Sequence, residues 1–329
     1  MSKLEVYGIV NSASFQRAKE VALKLPVAAQ VYEFLEADWE EKVFDLTNSY
    51  SYEEACLLDN ELLGNADDLC NWAAKHYKFQ EPNQDYELLA ETQYREKLLN
   101  SKKRYVLWEV AIGEEKPQKM VIELDFELCP RTCENFWELA VGLGKYSYSG
   151  SLFHRIVKKG FVEGGLIFNE KDLLNTSYCG GFFPDENYAY PHAKAGIIGM
   201  SKEARNQNGS AFYITLRQLP YLDGRFVAFG RVVEGMSVLR SIAQVETNNQ
   251  RPVKNCTILK SENYIRSPTP SSSRSSRPMS PQIPSKLESA ELETLVKRRQ
   301  AIVSEIELTR EELEEQKKLR QVINKMLST

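Results

Sequence analysis

The sequence predicts a multidomain protein in which a small α/β domain is followed by a mainly β domain, a disordered linker and a long C-terminal helix. Strand-like and helix-like runs alternate over residues 1–80, whereas strand-like runs separated by turns dominate residues 105–265. A Ser/Pro/Arg-rich segment then precedes a proline-free stretch with apolar residues at helical spacing. At about 100–200 residues per domain, a chain of 329 residues accommodates this organisation.

Composition indicates a soluble globular protein. Hydrophobic residues make up 42% and charged residues 27% of the chain, as in ordinary globular domains. The formal net charge of −4 argues against a large nucleic-acid interface. No run approaches the roughly 20 apolar residues of a membrane span, and the N-terminus lacks the apolar region of a signal peptide. We therefore expect a cytoplasmic protein with no membrane and no nucleic-acid partner.

Histidine and cysteine spacing offers no metal or cofactor site. The chain has three histidines and six cysteines, and no two cysteines form a CxxC pair. Cys129 and Cys133 are close in sequence, but no second Cys or His pair follows them to complete a zinc site. We expect structural thiols and no cofactor.

The N-terminal segment, residues 1–80, reads as strand, helix, strand, hairpin and helix. A strand over 4–10 precedes a helix over 14–25 that Ser12 or Ser14 can cap, and a second strand follows at 31–35. Asp59-Asn60 predicts a tight hairpin turn, and a helix over 67–77 closes the segment. This order of elements resembles the thioredoxin fold, in its glutaredoxin-like form.

The chemistry of that fold family is missing from the segment. Redox activity requires a low-pKa thiolate at a helix N-terminus and a second thiol to resolve the intermediate. The matching stretch is Ser12-Ala13-Ser14-Phe15, in which serine replaces the first thiol and phenylalanine the second. We expect a thioredoxin-like domain without redox activity.

Residues 81–104 predict a helical connector. The residues Tyr86, Leu89, Tyr94, Leu98 and Leu99 lie at helical spacing and give the segment one apolar face. We expect this helix to pack on one of its neighbouring domains.

Residues 105–265 carry strand-like runs with two helices between them. The runs cover 105–112, 120–124, 153–157, 197–200, 212–215 and 227–232, and the helices cover 132–141 and 237–244. Three sequence blocks stand out within this region: FHRIV at 153–157, NGSAFYIT at 208–215 and YLDGRFVAFG at 221–230. Together with VIEL at 121–124 and CPRTCENF at 129–136, they resemble the cyclophilins, the β-barrel peptidyl-prolyl cis-trans isomerases. The resemblance implies a mainly antiparallel β-barrel of cyclophilin type, closed by two capping helices.

The resemblance implies a catalytic arginine at Arg155. Isomerisation of an X-Pro bond crosses a barrier of about 20 kcal/mol because rotation breaks amide conjugation. A catalyst needs an apolar cleft for the proline ring and a donor that supports the twisted amide, and an arginine at the cleft edge supplies that donor. By the same resemblance, the candidate substrate-binding residues are Phe161, Glu163, Ser201, Ala211, Tyr213, Tyr221, Leu222 and Phe226.

Several of these positions depart from the family pattern. Glu163 and Ala211 stand where the family has glutamines, and Phe161 serves as the aromatic wall only if the alignment slips by one residue. Tyr213 replaces a phenylalanine, Tyr221 a tryptophan and Phe226 a histidine, and the stretch from Ser201 to Glu203 replaces an Ala-Asn-Ala edge. A carboxylate at Glu163 would pair with Arg155 and compete with its donor role.

These departures favour a cyclophilin-fold protein that binds proline-containing segments and has weak or absent isomerase activity, acting as a scaffold or assembly factor. The alternative is an active prolyl isomerase that assists protein folding, in which the substitutions are neutral.

Beyond residue 265, the sequence predicts a disordered linker and an amphipathic helix. Residues 266–286 contain no acidic residue and almost no apolar one, so they cannot bury a core. Residues 287–329 repeat leucine and isoleucine at heptad-like positions without proline or glycine. We expect a helical protein partner or self-association through 287–327, and the alternative is a helix that folds back on the barrel.

Overall fold

The computed structural model describes residues 3–47, 53–142, 146–169, 172–202 and 204–264. Residues 1–267 belong to one compact unit. The linker and helix predicted over 266–286 and 287–329 lie outside the described residues, as does Glu203 of the predicted cleft edge. Within these ranges, none of the helices combines the length and apolar character that crossing a membrane requires.

A four-stranded mixed sheet flanked by helices forms the N-terminal part. Its elements are β1 (Lys3–Ile9), α1 (Ala13–Lys24), β2 (Ala28–Phe34), α2 (Glu36–Thr47), β3 (Glu54–Leu58), β4 (Glu61–Gly64) and α3 (Ala66–Tyr77). The strand order is β2-β1-β3-β4, in which β1 and β2 are parallel and the other pairs are antiparallel.

Local sequence signals explain where these elements begin and turn. The Ser12 side chain caps α1 by accepting a hydrogen bond from the Phe15 backbone N–H. The hairpin between β3 and β4 turns at Asp59 and Asn60, whose φ angles of 52° and 70° are those of a type I′ turn. Asn65 and the side chain of Asp68 form a reciprocal capping box at the start of α3.

The second part of the unit is a closed antiparallel barrel. Its helices are α4 (Tyr86–Asn100), which leads into it, α5 (Pro130–Val141) and α6 (Met236–Gln244). Its strands are β5 (Arg104–Ile112), β6 (Gln118–Leu124), β7 (Leu152–Val157), β8 (Phe161–Asn169), β9 (Asp172–Leu174), β10 (Ile197–Met200), β11 (Phe212–Thr215), β12 (Ala228–Glu234), β13 (Thr247–Asn248), β14 (Arg251–Pro252) and β15 (Cys256–Asn263).

Eight strands close the barrel in the order β11-β10-β12-β6-β5-β15-β7-β8, because β8 also pairs with β11. Strand β9 extends β8 as a hairpin, and β13 pairs with β14 in a separate ribbon. The six predicted barrel strands and both predicted helices are present, whereas β8 and β15 were not predicted from the sequence.

Aromatic side chains fill the barrel interior. Trp108 is fully buried, and its ring centroid lies 5.0 Å from that of Phe212 and 5.7 Å from that of Phe136 on α5. The Trp108 indole N–H donates to Ser261 Oγ on β15 at 2.9 Å, which satisfies the polar end of this large side chain. Cys129 and Cys133 are also buried in this core as free thiols.

Helix α2, which the sequence patterns did not predict, joins the N-terminal sheet to the barrel through its carboxylates. Glu36 accepts a hydrogen bond from the backbone N–H of Gly235, at the start of α6, at 2.9 Å. Asp38 Oδ2 lies 3.2 Å from the guanidinium Nη2 of Arg231 on β12, and Asp38 Oδ1 lies 3.3 Å from Lys194 Nζ. These contacts place the two sheets in one unit.

Helix α4 packs between the two parts, whereas the sequence analysis expected it to pack on one of them. Tyr94 and Leu98 are buried against Val10 of the N-terminal part and Tyr105 of β5. Leu99, which the sequence placed on the apolar face, is 53% exposed. The helix therefore uses a narrower buried stripe than the spacing of its apolar residues suggests.

Candidate functional site

One cavity on the barrel surface is lined by all nine candidate catalytic and substrate-binding residues that the sequence predicts. This central cavity has a volume of about 590 Å³. Its lining consists of His154, Arg155, Phe161, Glu163, Leu166, Asn175, Ser201, Lys202, Ala211, Tyr213, Tyr221, Leu222 and Phe226.

Strand pairing places the key side chains in one row. Arg155 on β7 lies opposite Glu163 on β8, and Glu163 lies opposite Tyr213 on β11. Because residues opposite each other on neighbouring strands project to the same face, the three side chains reach the same side of the sheet. The arginine, the carboxylate and the cavity floor are therefore fixed by barrel register.

The Arg155 guanidinium has two side-chain partners. Its Nη1 lies 3.2 Å from Glu163 Oε2, and its Nε donates to Gln250 Oε1 at 2.7 Å. The guanidinium carbon lies 5.6 Å from the centre of the Phe161 ring, at the cavity mouth. The side chain is 46% exposed, so it remains accessible to a ligand while two of its nitrogens are already engaged.

Glu163 is held more firmly than the arginine that it pairs with. Ser201 Oγ donates to Glu163 Oε1 at 2.5 Å, and His154 Nε2 lies 3.7 Å from the same oxygen. Burial opposes ionisation most strongly, but His154, Ser201 and the Arg155 charge together lower the pKa of Glu163 below its usual value. The Glu163 side chain therefore stays a carboxylate at neutral pH and holds the Arg155 guanidinium in an ion pair.

The cavity floor depends on residues that sequence motifs did not single out. The Tyr213 ring is 3% exposed, and its hydroxyl lies 2.5 Å from Nε2 of the fully buried His192. His192 Nδ1 in turn lies 2.7 Å from Asp223 Oδ1. A Cβ at Gly199 would lie 2.3 Å from the tyrosine hydroxyl, so glycine is required there. The hydroxyl that distinguishes Tyr213 from the family's phenylalanine is thus accommodated by Gly199 and hydrogen-bonded to His192.

The cavity edge is set by backbone contacts around Ala211. The side-chain oxygen of Asn175 accepts hydrogen bonds from the backbone N–H groups of Ser210 and Ala211 at 2.9 and 3.0 Å. The backbone N–H of Ser201 donates to the Ala211 carbonyl at 2.9 Å. At the mouth, the ring of Tyr221 is 55% exposed. Asn175 therefore fixes the loop on which the short Ala211 side chain replaces the family's longer glutamine.

The lining gives the central cavity an apolar interior with two cationic side chains, Arg155 and Lys202, in its wall. Phe161, Tyr213, Leu222 and Phe226 belong to one apolar cluster, and the Tyr213 and Phe226 rings meet edge to face at 5.9 Å. A small apolar ring would be held among these side chains, with Arg155 beside it. Within the part of the chain that the structure describes, no group of three His, Cys, Asp or Glu side chains is arranged to hold a metal ion.

Comparison with known proteins gives one consistent set of matches. The family model described as cyclophilin type peptidyl-prolyl cis-trans isomerase/CLD matches residues 109–263. A Bos taurus protein named "Probable inactive peptidyl-prolyl cis-trans isomerase-like 6" is 37% identical over 279 residues, which cover 78% of this chain and 91% of that protein. Proteins of the same name from Mus musculus and Homo sapiens are 36% and 34% identical over 78% of this chain, and the matches cover 89% and 90% of their own lengths.

Proposed function

The chain belongs to the cyclophilin family of peptidyl-prolyl cis-trans isomerases, in its isomerase-like 6 subgroup, and from this premise we propose that its central cavity binds proline-containing segments while isomerising them weakly or not at all. The relatives named as probable inactive isomerases support this proposal. In this role the protein acts by binding, as a scaffold or assembly factor.

The observation that carries the proposal is the pairing of Arg155 with Glu163. A donor accelerates isomerisation only if it supports the twisted amide better than the planar one. Here two nitrogens of the guanidinium are bound to Glu163 and Gln250, so a substrate carbonyl competes with an ion pair and a hydrogen bond. The apolar interior is unaffected by this competition, because ring binding depends on Phe161, Tyr213 and their neighbours.

An active isomerase is the second candidate, and one observation favours it. Arg155 is present, nearly half exposed and stacked at the mouth over Phe161. If a bound substrate draws the guanidinium away from Glu163, the catalytic donor is restored.

An isomerisation assay without a coupling protease, on the full chain with a short X-Pro peptide, separates the two candidate functions. NMR exchange between the cis and trans forms measures turnover, and chemical-shift changes in the same sample measure binding. We expect saturable binding with little or no acceleration. Turnover at the level of ordinary cyclophilins would refute the weak-activity proposal, and a lack of binding by proline peptides would refute the binding role.

We further propose that the N-terminal sheet is a thioredoxin-like module without redox chemistry. The mixed β2-β1-β3-β4 order, with the β3–β4 hairpin following the parallel pair, supports this assignment. Ser12 Oγ, at the helix start where the first redox thiol would sit, donates to Glu53 instead. Burial also raises the pKa of the Cys56 thiol, which disfavours a reactive thiolate. We propose a cytoplasmic location and a helical partner for 287–327, both on sequence grounds.

A further inference from the structure

A second, smaller cavity adjoins the central cavity and is lined by basic side chains. This basic cavity has a volume of about 360 Å³, and its wall includes the cations Lys202, Arg205 and Arg225 and the rings of Tyr188 and Phe226. Lys202 and Phe226 also line the central cavity. The two cavities therefore adjoin at side chains that they share.

The lysine contributes little net charge to the basic cavity. Its Nζ lies 2.5 Å from Asp185 Oδ1, and the two side chains are only 7% and 4% exposed. The Asp185 carboxylate also accepts hydrogen bonds from the Asn208 side chain and the Asn206 backbone N–H. This buried pair fixes the wall between the cavities, and its charges cancel.

The two arginines differ from the lysine in their surroundings. Across the residues described here, neither Arg205 nor Arg225 forms an ion pair, and both are exposed. The nearby carboxylate of Asp223 is directed to the barrel instead, where one oxygen accepts from the backbone N–H and lies beside the ring nitrogen of His192. A Cβ on Gly224 would meet nothing within 4 Å, so the space beside Arg225 is open.

We propose that the basic cavity binds an anionic side chain, a phosphate or a carboxylate, on the same segment whose proline occupies the central cavity. This inference rests on the proposed proline-binding function and specifies its ligand class as an acidic or phosphorylated proline-containing segment. Guanidinium groups match the geometry of phosphate and carboxylate oxygens with two parallel donors each. A residue spans about 3.3–3.6 Å of extended chain, so the anion lies within a few positions of the proline.

The test is a binding series on the full chain with short fluorescein-labelled peptides that contain a single proline. One residue near the proline is serine, phosphoserine, glutamate or lysine, and each flanking position is scanned in turn. Because the arginines are exposed and screened by solvent, we expect the phosphoserine peptide to bind about tenfold more tightly than the serine peptide. High salt should reduce this gain, and the lysine peptide should bind more weakly.

The matched variants are R205Q/R225Q and, as the control, R217Q. Arg217 is also an exposed arginine, and it lines neither cavity. The double variant should lose the phosphate gain and keep its affinity for the serine peptide, whereas R217Q should keep both. Persistence of the gain in the double variant, or its equal loss in R217Q, would overturn the inference.

The series also separates this inference from the function on which it rests. If the serine peptide binds and its proline-to-alanine version does not, while phosphoserine adds nothing, the basic cavity is not an anion site and the proline-binding function stands. If the serine peptide and its alanine version bind equally, the proline-binding function fails. Absence of binding by every peptide overturns both.

Discussion

At the scale of single residues, Glu163 is the group whose removal changes the chemistry of the central cavity most. E163Q together with A211Q removes the carboxylate that engages Arg155 and restores the two amides that the family has at these positions. We expect isomerase turnover to rise at least about tenfold, because one charge-assisted hydrogen bond to the arginine is released for the substrate. The NMR exchange rate on an X-Pro peptide measures the change.

The control for this gain is R155A in the same doubly substituted background. If the rise depends on the arginine as donor, R155A should return turnover to the level of the parent chain. An unchanged rate in the double variant would place the cause of weak activity elsewhere in the cavity, for example at its altered edge, Ser201 and Lys202.

The hydroxyl of Tyr213 should contribute measurably to stability. Y213F leaves a nitrogen of the buried His192 without its 2.5 Å contact, and an unsatisfied buried polar group costs about 1–3 kcal/mol. Urea unfolding followed by circular dichroism measures this loss. The matched control is Y221F, since the Tyr221 ring is 55% exposed and its substitution should change stability by less than about 0.5 kcal/mol. Equal effects would show that the His192 contact is not stabilising.

The cavity residues differ in how visible they are in the sequence. Six of the nine residues, Arg155 among them, sit inside the short blocks at 153–157, 208–215 and 221–230, whereas Phe161, Glu163 and Ser201 lie between those blocks. Gln250 and His192 could not be found in this way, because each meets its partner across the fold. Gln250 reaches Arg155 over a sequence separation of 95 residues, which only the barrel register brings together.

At the scale of elements, helix α2 shows why the contact between the N-terminal sheet and the barrel was harder to predict from sequence than the fold of either part. Four of its five acidic residues, Glu36, Asp38, Glu40 and Glu41, crowd its first half, a pattern typical of a solvent-exposed helix face. In the structure they meet the backbone of Gly235 and the side chains of Arg231, Arg240 and Lys194, all far away in sequence. Turn and cap residues such as Asp59 or Ser12 were predictable because their signals are local.

The same interface should make stability depend on pH through Glu234, at the end of β12. Burial is the main cause that raises the pKa of Glu234, and the charge of Glu36 on α2 adds to it. Because the folded-state pKa lies above the unfolded one, this group favours folding at low pH, and that contribution is lost as pH rises through the folded pKa. The permanently neutral E234Q should therefore be more stable than the parent chain at neutral and alkaline pH.

Thermal unfolding of both chains across a pH series measures this difference, which should shrink as the pH falls below the usual range of glutamate. E87Q on the exposed face of α4 is the control and should show no comparable pH-dependent gain. A constant difference at all pH values would mean that the amide acts through packing and that the buried charge is not the cause.

At the scale of the whole molecule, the sequence after residue 265 predicts a tether that ends in an associating helix. Residues 287–329 carry Leu292, Leu295, Ile302 and Ile306 on one face, and burying each side chain fully is worth about 1.5–3 kcal/mol. An isolated helix of this kind is marginal in water, so a second helix is expected to cover that face. The barrel would then be a binding domain held by its tail.

Light scattering on the full chain and on residues 1–267, the compact unit, tests this expectation. We expect the shorter chain to be monomeric and the full chain to self-associate or to capture a helical partner. L295S/I302S should abolish association, whereas the polar-face change E293Q should not, because it leaves the apolar row intact. If the full chain stays monomeric, the isolated peptide 287–329 is unfolded and the same segment resists hydrogen exchange in the full chain, the helix covers its apolar face on its own barrel.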